Sequence, residues 1–288
     1  MAQGMALRHF CLEFLMRRVL PFLFLFLSAP AFAQTGLGGI IDTEHEFAQK
    51  TKDTNYAEGF LSYADRNAVW FNPNPRNAFN ELTEMANSSD SKNPSQLRWY
   101  PNFVGISSSD DFGFDLGAYY IENSDKSGLF FTIWQKDDQG KWRYTLDTGA
   151  ASFSNISQMP KDGNYIQLKP SSNVPSKNIF DFDENINDQL SKTGAKEAFE
   201  KFADNKTIIL TENMPPSNFG GDKNALIASR PSGDWEFSGV QMSSARDLIA
   251  TFGNVKNGDK ALGEYVRLWQ WQGNKYQLII DIYKPRAE

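Results

Sequence analysis

Asp115 lies in the stretch FGFDLG, with glycines two residues to either side and aromatic side chains close by. A carboxyl in such apolar company loses hydration in its charged form, so its pKa climbs toward the range useful for moving protons near neutrality. Asp147 closes the segment WRYTLD, and Asp281 closes the similar LIID far downstream. Tyr63, Tyr119 and Tyr144 are the tyrosines available to partner such an aspartate, and no spacing selects one of them. Asp115, Asp147 and Tyr63 form the candidate catalytic set. The ordinary role of a strand aspartate is to cap a turn or bond backbone, and a glycine-flanked one also marks a sheet bend. His45 is the one histidine after residue 33 and has no second histidine to work with. It reads as a solvated helix residue, which leaves acid–base work to the carboxylates.

A second set suits binding. Trp70, Trp99, Phe130 and Trp134, and later Trp235, Tyr265 and Trp269, supply enough aromatic surface to line an apolar cavity. Alternating aromatics also serve a sheet core. Arg267 shares parity with Tyr265 and Trp269 and would meet an anionic group if that face lines the cavity. The sequence has no HExxH, no cysteine cluster and no glycine-rich phosphate loop. It also lacks a G-x-S-x-G elbow, and DENIND lacks the glycine and closing glutamate of a calcium loop. No metal and no cofactor is expected.

These residues are carried on a pattern that the chain writes twice. GLFFTIWQKDDQGKWRYTLD at 128–147 is echoed by GEYVRLWQWQGNKYQLIID at 263–281, matching Trp134 with Trp269 and Asp147 with Asp281. EGFLSYADRNAVWF at 58–71 parallels EAFEKFADNKTIIL at 197–210, matching Phe60 with Phe199. LRWYPNFVGISSSDDFGFDLGAYY at 97–120 parallels GDWEFSGVQMSSARDLIATFGNVK at 233–256, matching Trp99 with Trp235, Ser107-Ser108 with Ser243-Ser244, and Gly117 with Gly253. Asp115 has no acidic counterpart, because its position falls on Thr251. Three matched stretches in one order point to an internal duplication.

Within the first copy, Phe47, Phe60, Tyr63 and Ala64 sit at helical spacings, and Thr43 with Glu46 fits a capping box. A turn at NPNPRN and a helix over 78–87 follow. Alternation predicts strands over 98–107, 112–121, 128–137 and 141–147. The second copy leads with a helix over 188–202, interrupted or capped near Gly194. The expected division is a signal peptide at 1–33, a tail at 34–41, a first domain at 42–150, a connector at 151–187 and a second domain at 188–284. Helices ahead of an antiparallel meander give an α+β class with helices covering one sheet face.

Each copy resembles the NTF2-like superfamily, in particular its SnoaL-like, DUF4440-type domains of unknown function. The resemblance rests on DTEHEFAQ, AEGFLSYADRNAVWF, SSSDDFGFDLGAYY and GLFFTIWQKDDQGKWRYTLDTG, and in the second copy on GEYVRLWQWQGNKYQLIIDIY. It implies two tandem cones, each a curved antiparallel sheet wrapped around N-terminal helices and enclosing an apolar pocket. Superfamily members include isomerases, dehydratases, cyclases, hydrolases and non-catalytic binders, so the fold alone assigns no activity. No aspartate–tyrosine or aspartate–histidine dyad of the superfamily maps onto this chain residue by residue.

Residues 16–33, MRRVLPFLFLFLSAPAFA, have a basic start, an apolar run and an A-x-A end, the layout of a secretory signal. The run is too short for a lasting membrane anchor. Met5 or Met16 is an alternative start to Met1. Cleavage after Ala33 leaves 288 − 33 = 255 residues, and 29 basic and 35 acidic residues become 26 and 34, a net charge of −8. Cys11, the one cysteine, leaves with the leader. The expected protein is exported, periplasmic or extracellular, without disulfides, and too acidic to favour nucleic acid. Three functions follow: a binder of a small apolar or amphipathic organic molecule, a metal-free isomerase, dehydratase or hydrolase using a first-domain aspartate, or a scaffold. In the scaffold, the two sheets pack face to face as a pseudo-dimer; the oligomeric state is open.

Overall fold

The computed structural model describes residues 36–71, 75–88, 93–151, 160–175 and 180–286. The expected signal peptide at 1–33 lies outside the described residues. The first half runs α1 (Gly36–Asp53), α2 (Tyr56–Tyr63), β1 (Ala64–Phe71), β2 (Pro75–Asn77), α3 (Ala78–Ala86), β3 (Leu97–Ile106), β4 (Phe112–Ile121), β5 (Ser127–Lys136) and β6 (Trp142–Ala151). A short strand, β7 (Ile166–Leu168), follows from the segment expected as connector. The second half repeats the plan with α4 (Phe180–Lys192), α5 (Ala195–Phe202), β8 (Ile208–Thr211), α6 (Lys223–Ala228), β9 (Asp234–Met242), β10 (Leu248–Asn257), β11 (Lys260–Gln272) and β12 (Lys275–Pro285). The described residues fall in one compact unit. Among them no helix is long and apolar enough to cross a membrane.

The lead helix α1 buries Ile40, Thr43, Glu44, Phe47 and Thr51, a stripe at helical spacing. Thr43 lies inside this helix rather than capping it: its hydroxyl donates to the Gly39 carbonyl at 2.7 Å. The helix begins about two turns earlier than the capping-box reading places it. Asn55 caps α2, accepting from the Glu58 amide at 2.9 Å, and Asn77 caps α3, accepting from the Asn80 amide at 2.8 Å. In the second half the lead helix starts at Phe180, ahead of the expected Asp188. Gly194, at φ +93°, separates α4 from α5 as the sequence suggests.

The first sheet has the order β2-β1-β6-β5-β4-β3-β7 and the second β8-β12-β11-β10-β9. Their meanders are antiparallel, while β1 on β6, β7 on β3 and β8 on β12 pair in parallel. Helix α1 packs on β3, β4 and β6, so the first sheet wraps around it. The architecture is the α+β pair of cones that the sequence leads one to expect.

Each sheet has two apolar faces. The inner faces hold separate cores: Phe47, Phe60, Trp99, Trp134 and Tyr144 in the first half, and Ile186, Phe199, Trp235, Tyr265 and Trp269 in the second. The outer faces share a third core, in which Phe112, Phe114, Leu116, Phe131 and Leu146 meet Leu210, Leu248, Val266, Leu268 and Ile280. The matched serine-rich turns close this interface reciprocally. Asp247 Oδ2 accepts from the Ser108 amide at 2.8 Å, and Asp111 Oδ2 accepts from the Ser244 amide at 3.0 Å. The same elements contact one another in exchanged roles, the mark of a pseudo-twofold interface.

Candidate active site in the first cone

A cavity of about 330 Å³ lies inside the first cone. Helix α1 contributes Glu44 and Phe47, and α2 contributes Tyr56 and Phe60. Strands β1 and β3 supply Trp70, Phe71 and Trp99, β4 supplies Tyr119, and β5 supplies Phe130 and Thr132. Strand β6 adds Asp147 and Thr148, while Glu212 and Lys284 reach the lining from the second half. Both tryptophan N–H groups are spent on carboxylates. Trp70 donates to Glu81 at 2.9 Å and Trp99 donates to Glu44, so their rings offer the cavity apolar and π surface.

A backbone irregularity aims Asp147 into this space. Ile133 pairs with Leu146 and Trp134 with Tyr144, leaving Thr145 as the extra residue of a β-bulge. Strict alternation groups Asp147 with Arg143 and Thr145, opposite Tyr144. The bulge reverses that parity, so Tyr144 joins the inner core and Leu146 the outer one. Asp147 is also not the last residue of its strand, since β6 continues to Ala151 along β5. The expected strand-end position is corrected by this longer pairing. Asp281 is likewise internal to β12, with Ile279 as the extra residue of the corresponding bulge.

Asp147 Oδ2 accepts from the Thr132 hydroxyl at 2.9 Å. Burial lifts its carboxyl from 3.8 to about 7; the Thr132 bond and Lys284 oppose the rise, and the charge of Glu44 adds to it. Burial chiefly, and then the charge of Asp147, raises the Tyr56 hydroxyl and holds it protonated. Behind Asp147 lie two more carboxyls. Asp115 accepts from the Trp134 N–H at 3.3 Å and neighbours Glu44; Oδ2 of Asp115 and Oε2 of Glu44 are both buried without a hydrogen-bond partner. Burial and then the neighbouring Glu44 charge push Asp115 well above the usual carboxylate range, while burial raises Glu44 and its neighbours Asp115 and Trp99 pull it back. Asp115 is therefore the member of the pair more strongly held in its protonated form. Thr148 Oγ1, on the cavity wall, is buried with no hydrogen-bond partner.

The second cone has the same skeleton, closed. Asp281, the match of Asp147, is held by Arg267 Nε at 2.9 Å and by Arg230 Nε at 3.0 Å. Arg267 stands where the first cone has Thr132, two residues before the matched tryptophan. Asp183 sits where the first cone has Glu44, at the spacing that relates Phe199 to Phe60. Arg267 Nη1 donates to Asp183 Oδ1 at 3.0 Å and to Asn187 Oδ1 at 2.8 Å. Trp269 donates to Thr251 at 3.0 Å, as Trp134 does to Asp115. Thr251 in turn donates to Asp183 at 2.7 Å, at the place where Asp115 neighbours Glu44 in the first cone. Arg267, Asp183 and Asp281 are fully buried.

The candidate residues divide accordingly. Trp70, Trp99, Phe130 and Asp147 line the cavity; Asp115 and Trp134 lie one layer behind it. Tyr63 packs against Phe47, with ring centroids 5.2 Å apart, and does not line the cavity. Its place beside Asp147 is taken by Tyr56, about two turns earlier in the same helix. Trp235, Tyr265, Arg267 and Trp269 fill the second core instead of lining a pocket within it, because the arginine network occupies that interior. His45 lies on the surface, 3.0 Å from Asp162. Gly113 and Gly117 do not leave room for a ligand. A Cβ at Gly113 would meet Ile40 Cδ1 at 2.2 Å, and one at Gly117 the Tyr100 carbonyl oxygen at 2.0 Å. Glu44, Thr132, Tyr56 and Lys284 were not singled out by sequence reasoning; Glu44 was legible only as one of several acids in DTEHEFAQ. Among the described residues no group of three or more His, Cys, Asp and Glu side chains is arranged to hold a metal ion.

No protein-family model matches the chain, and no curated protein matches it. The similar solved structures each cover about two fifths of this chain. An NTF2-like protein of unknown function from Shewanella oneidensis is 15% identical, with 38% of this chain and 95% of that chain covered and a TM-score of 0.33. A protein of unknown function from the DUF3225 family of Pectobacterium atrosepticum is 14% identical, covering 41% and 91%, with a TM-score of 0.31. A cystatin-like-fold protein of unknown function from Nostoc punctiforme is 13% identical, covering 40% and 90%, with a TM-score of 0.32.

Proposed function

We propose that the first cone binds a small organic molecule and transfers a proton on it, with Asp147 as the acid–base residue and the second cone as a structural partner. The observation that carries this reading is the state of Asp147. Its carboxyl opens on an aromatic cavity, is bonded by Thr132 without a cationic clamp, and is lifted to about 7, close to the optimum for both taking and returning a proton. A fully neutralised aspartate of the same lineage, Asp281, stands in the second cone and has no such freedom. Tyr56 supplies a protonated hydroxyl on the cavity wall, and the Asp115 carboxyl behind it is pushed well above the usual carboxylate range by burial and the Glu44 charge. Isomerisation and dehydration are the reaction classes that one titrating carboxyl and a nearby donor can serve.

We read both halves as SnoaL-like members of the NTF2-like superfamily, on the duplicated strand and helix motifs, and the chain as exported on the strength of its leader. The scaffold reading shares the face-to-face sheets, but it gives no role to a carboxyl kept near neutrality beside a cavity.

The test is native mass spectrometry of protein recovered from the exported fraction, followed by incubation of any retained molecule in heavy water. A processed N-terminus, a bound small molecule, and deuterium uptake that Asp147→Asn abolishes are the expected results. Equal uptake with the variant sinks the assignment of Asp147.

A further inference from the structure

The second cone carries, as part of its own chain, a cation at the place that the first cone leaves as a cavity. Arg267 springs from the position of Thr132, and its Nε donates to Asp281 Oδ2 at 2.9 Å, just as Thr132 Oγ1 donates to Asp147 Oδ2 at 2.9 Å. The threonine thus reproduces the first contact of the arginine and stops there. The rest of the guanidinium continues inward. It reaches Asp183, the counterpart of Glu44, and lies 4.1 Å from the ring centroid of Tyr265 and 5.4 Å from that of Trp235. The counterparts of those rings are Phe130 and Trp99, and both line the first cavity together with Glu44 and Asp147.

The two carboxylates and two rings that receive the guanidinium in one cone therefore have counterparts around the cavity of the other, while its remaining acceptor, Asn187, is matched by Ala48. The charges agree. Glu44, Asp147, Glu212 and Lys284 are the charged side chains in the lining. Lys284 donates to the Phe71 carbonyl at 3.2 Å and pairs with Glu212 at 3.8 Å, so the cationic and anionic rim groups offset each other. What remains inside is acidic, walled by aromatic rings whose N–H donors are already used. An anionic ligand would find no free cationic donor there. A cation would find carboxylate oxygens and π surface, the combination that holds organic cations. The unpartnered Thr148 hydroxyl offers it one more acceptor.

We propose that the ligand of the first cone is a compact organic cation of the guanidinium, amidinium or amine class, held between Asp147 and Glu44 against Phe130 and Trp99. This deepens the functional reading above and rests on the cavity being a binding site. About 330 Å³ accommodates a single ring bearing such a group.

Benzamidine and its neutral isostere benzamide separate the two ideas. Binding of each to the full chain is measured by calorimetry at about pH 8, in wild type and in Asp147→Asn. Benzamidine is expected to bind at least about tenfold tighter than benzamide, a difference of about 1.4 kcal/mol, and Asp147→Asn should erase that preference while benzamide binding persists. Thr132→Arg, which transplants the internal cation of the second cone, should abolish binding of both. Equal binding of the two probes to wild type overturns the cation proposal and leaves the pocket reading intact. Binding of neither overturns both.

Discussion

Replacing Asp147 by asparagine removes one ionisation from the cavity wall while keeping the shape of the side chain, and the consequence for stability has a definite sign. In the native chain the carboxyl is lifted from 3.8 to about 7; in the unfolded chain it returns to about 3.9. Below about pH 4 both states are protonated, and above about pH 7 both are ionised. Between those limits the native state holds a proton that the unfolded state has released, so wild-type stability falls as pH rises through the window. Each pH unit there is worth about 1.4 kcal/mol, which sets a ceiling of about 4 kcal/mol. Asp147 is only half-buried and faces a cavity that water can enter, so about 2 to 3 kcal/mol is the working expectation. Asp147→Asn should exceed wild type by that amount at about pH 8, and the advantage should vanish by about pH 4. Loss of the Asp147 charge also relieves Asp115, which acts in the same direction. Urea unfolding followed by tryptophan fluorescence at several pH values reads the difference directly. A gap that does not change with pH, or a variant less stable than wild type at about pH 8, refutes the account of Asp147 as a carboxyl strained by burial.

Arg267→Met should destabilise the chain by about 3 to 5 kcal/mol, because it leaves Asp183 and part of Asp281 buried without their cation; equilibrium unfolding in urea checks this, and a neutral outcome would show that the second interior hydrates or reprotonates freely. Gly113→Ala should cost about 1 to 3 kcal/mol, since the new methyl meets Ile40 Cδ1 at 2.2 Å and the Gly105 carbonyl oxygen at 2.6 Å. The second of those atoms is backbone and cannot rotate away, so an unchanged melting temperature would contradict the close seating of α1 on β4.

The layering of the molecule was legible in the sequence because it depends on period. Helix and strand spacings around Phe47, Phe60 and the meander of 98–147 survive in the structure with small shifts at their ends. The duplication was legible because Trp134, Trp269, Asp147 and Asp281 fall at matching places. The site was legible only in part, and for a physical reason. A β-bulge adds one residue without leaving a compositional mark, and one residue reverses the face on which every later side chain lies. Alternation thus placed Asp147 opposite Tyr144, and the extra residue, Thr145, turned both inward. Glu44 was hidden for a different reason: an acid on a helix among DTEHEFAQ looks solvated until the sheet wraps around that face. Lys284 was beyond reach of any local reading, since it meets the first cavity only through the packing of the two sheets.

The two halves also show how little sequence separates a sealed core from an open one. Both keep an acid on the lead helix, a bulge before an inward aspartate, and a tryptophan donating to a side chain on the adjoining strand, β4 or β10. In the second half, a long cationic side chain on the neighbouring strand satisfies both acids, with Arg230 completing the neutralisation of Asp281. In the first half, a threonine in that place satisfies one oxygen of one acid. The remaining acids are accommodated by raised carboxyl pKa values at Glu44, Asp115 and Asp147, with burial the largest cause at each. Burying acids without a cation is unfavourable for a fold in isolation. It becomes intelligible when the missing cation arrives from outside, at the place that the Arg267 guanidinium fills in the second cone.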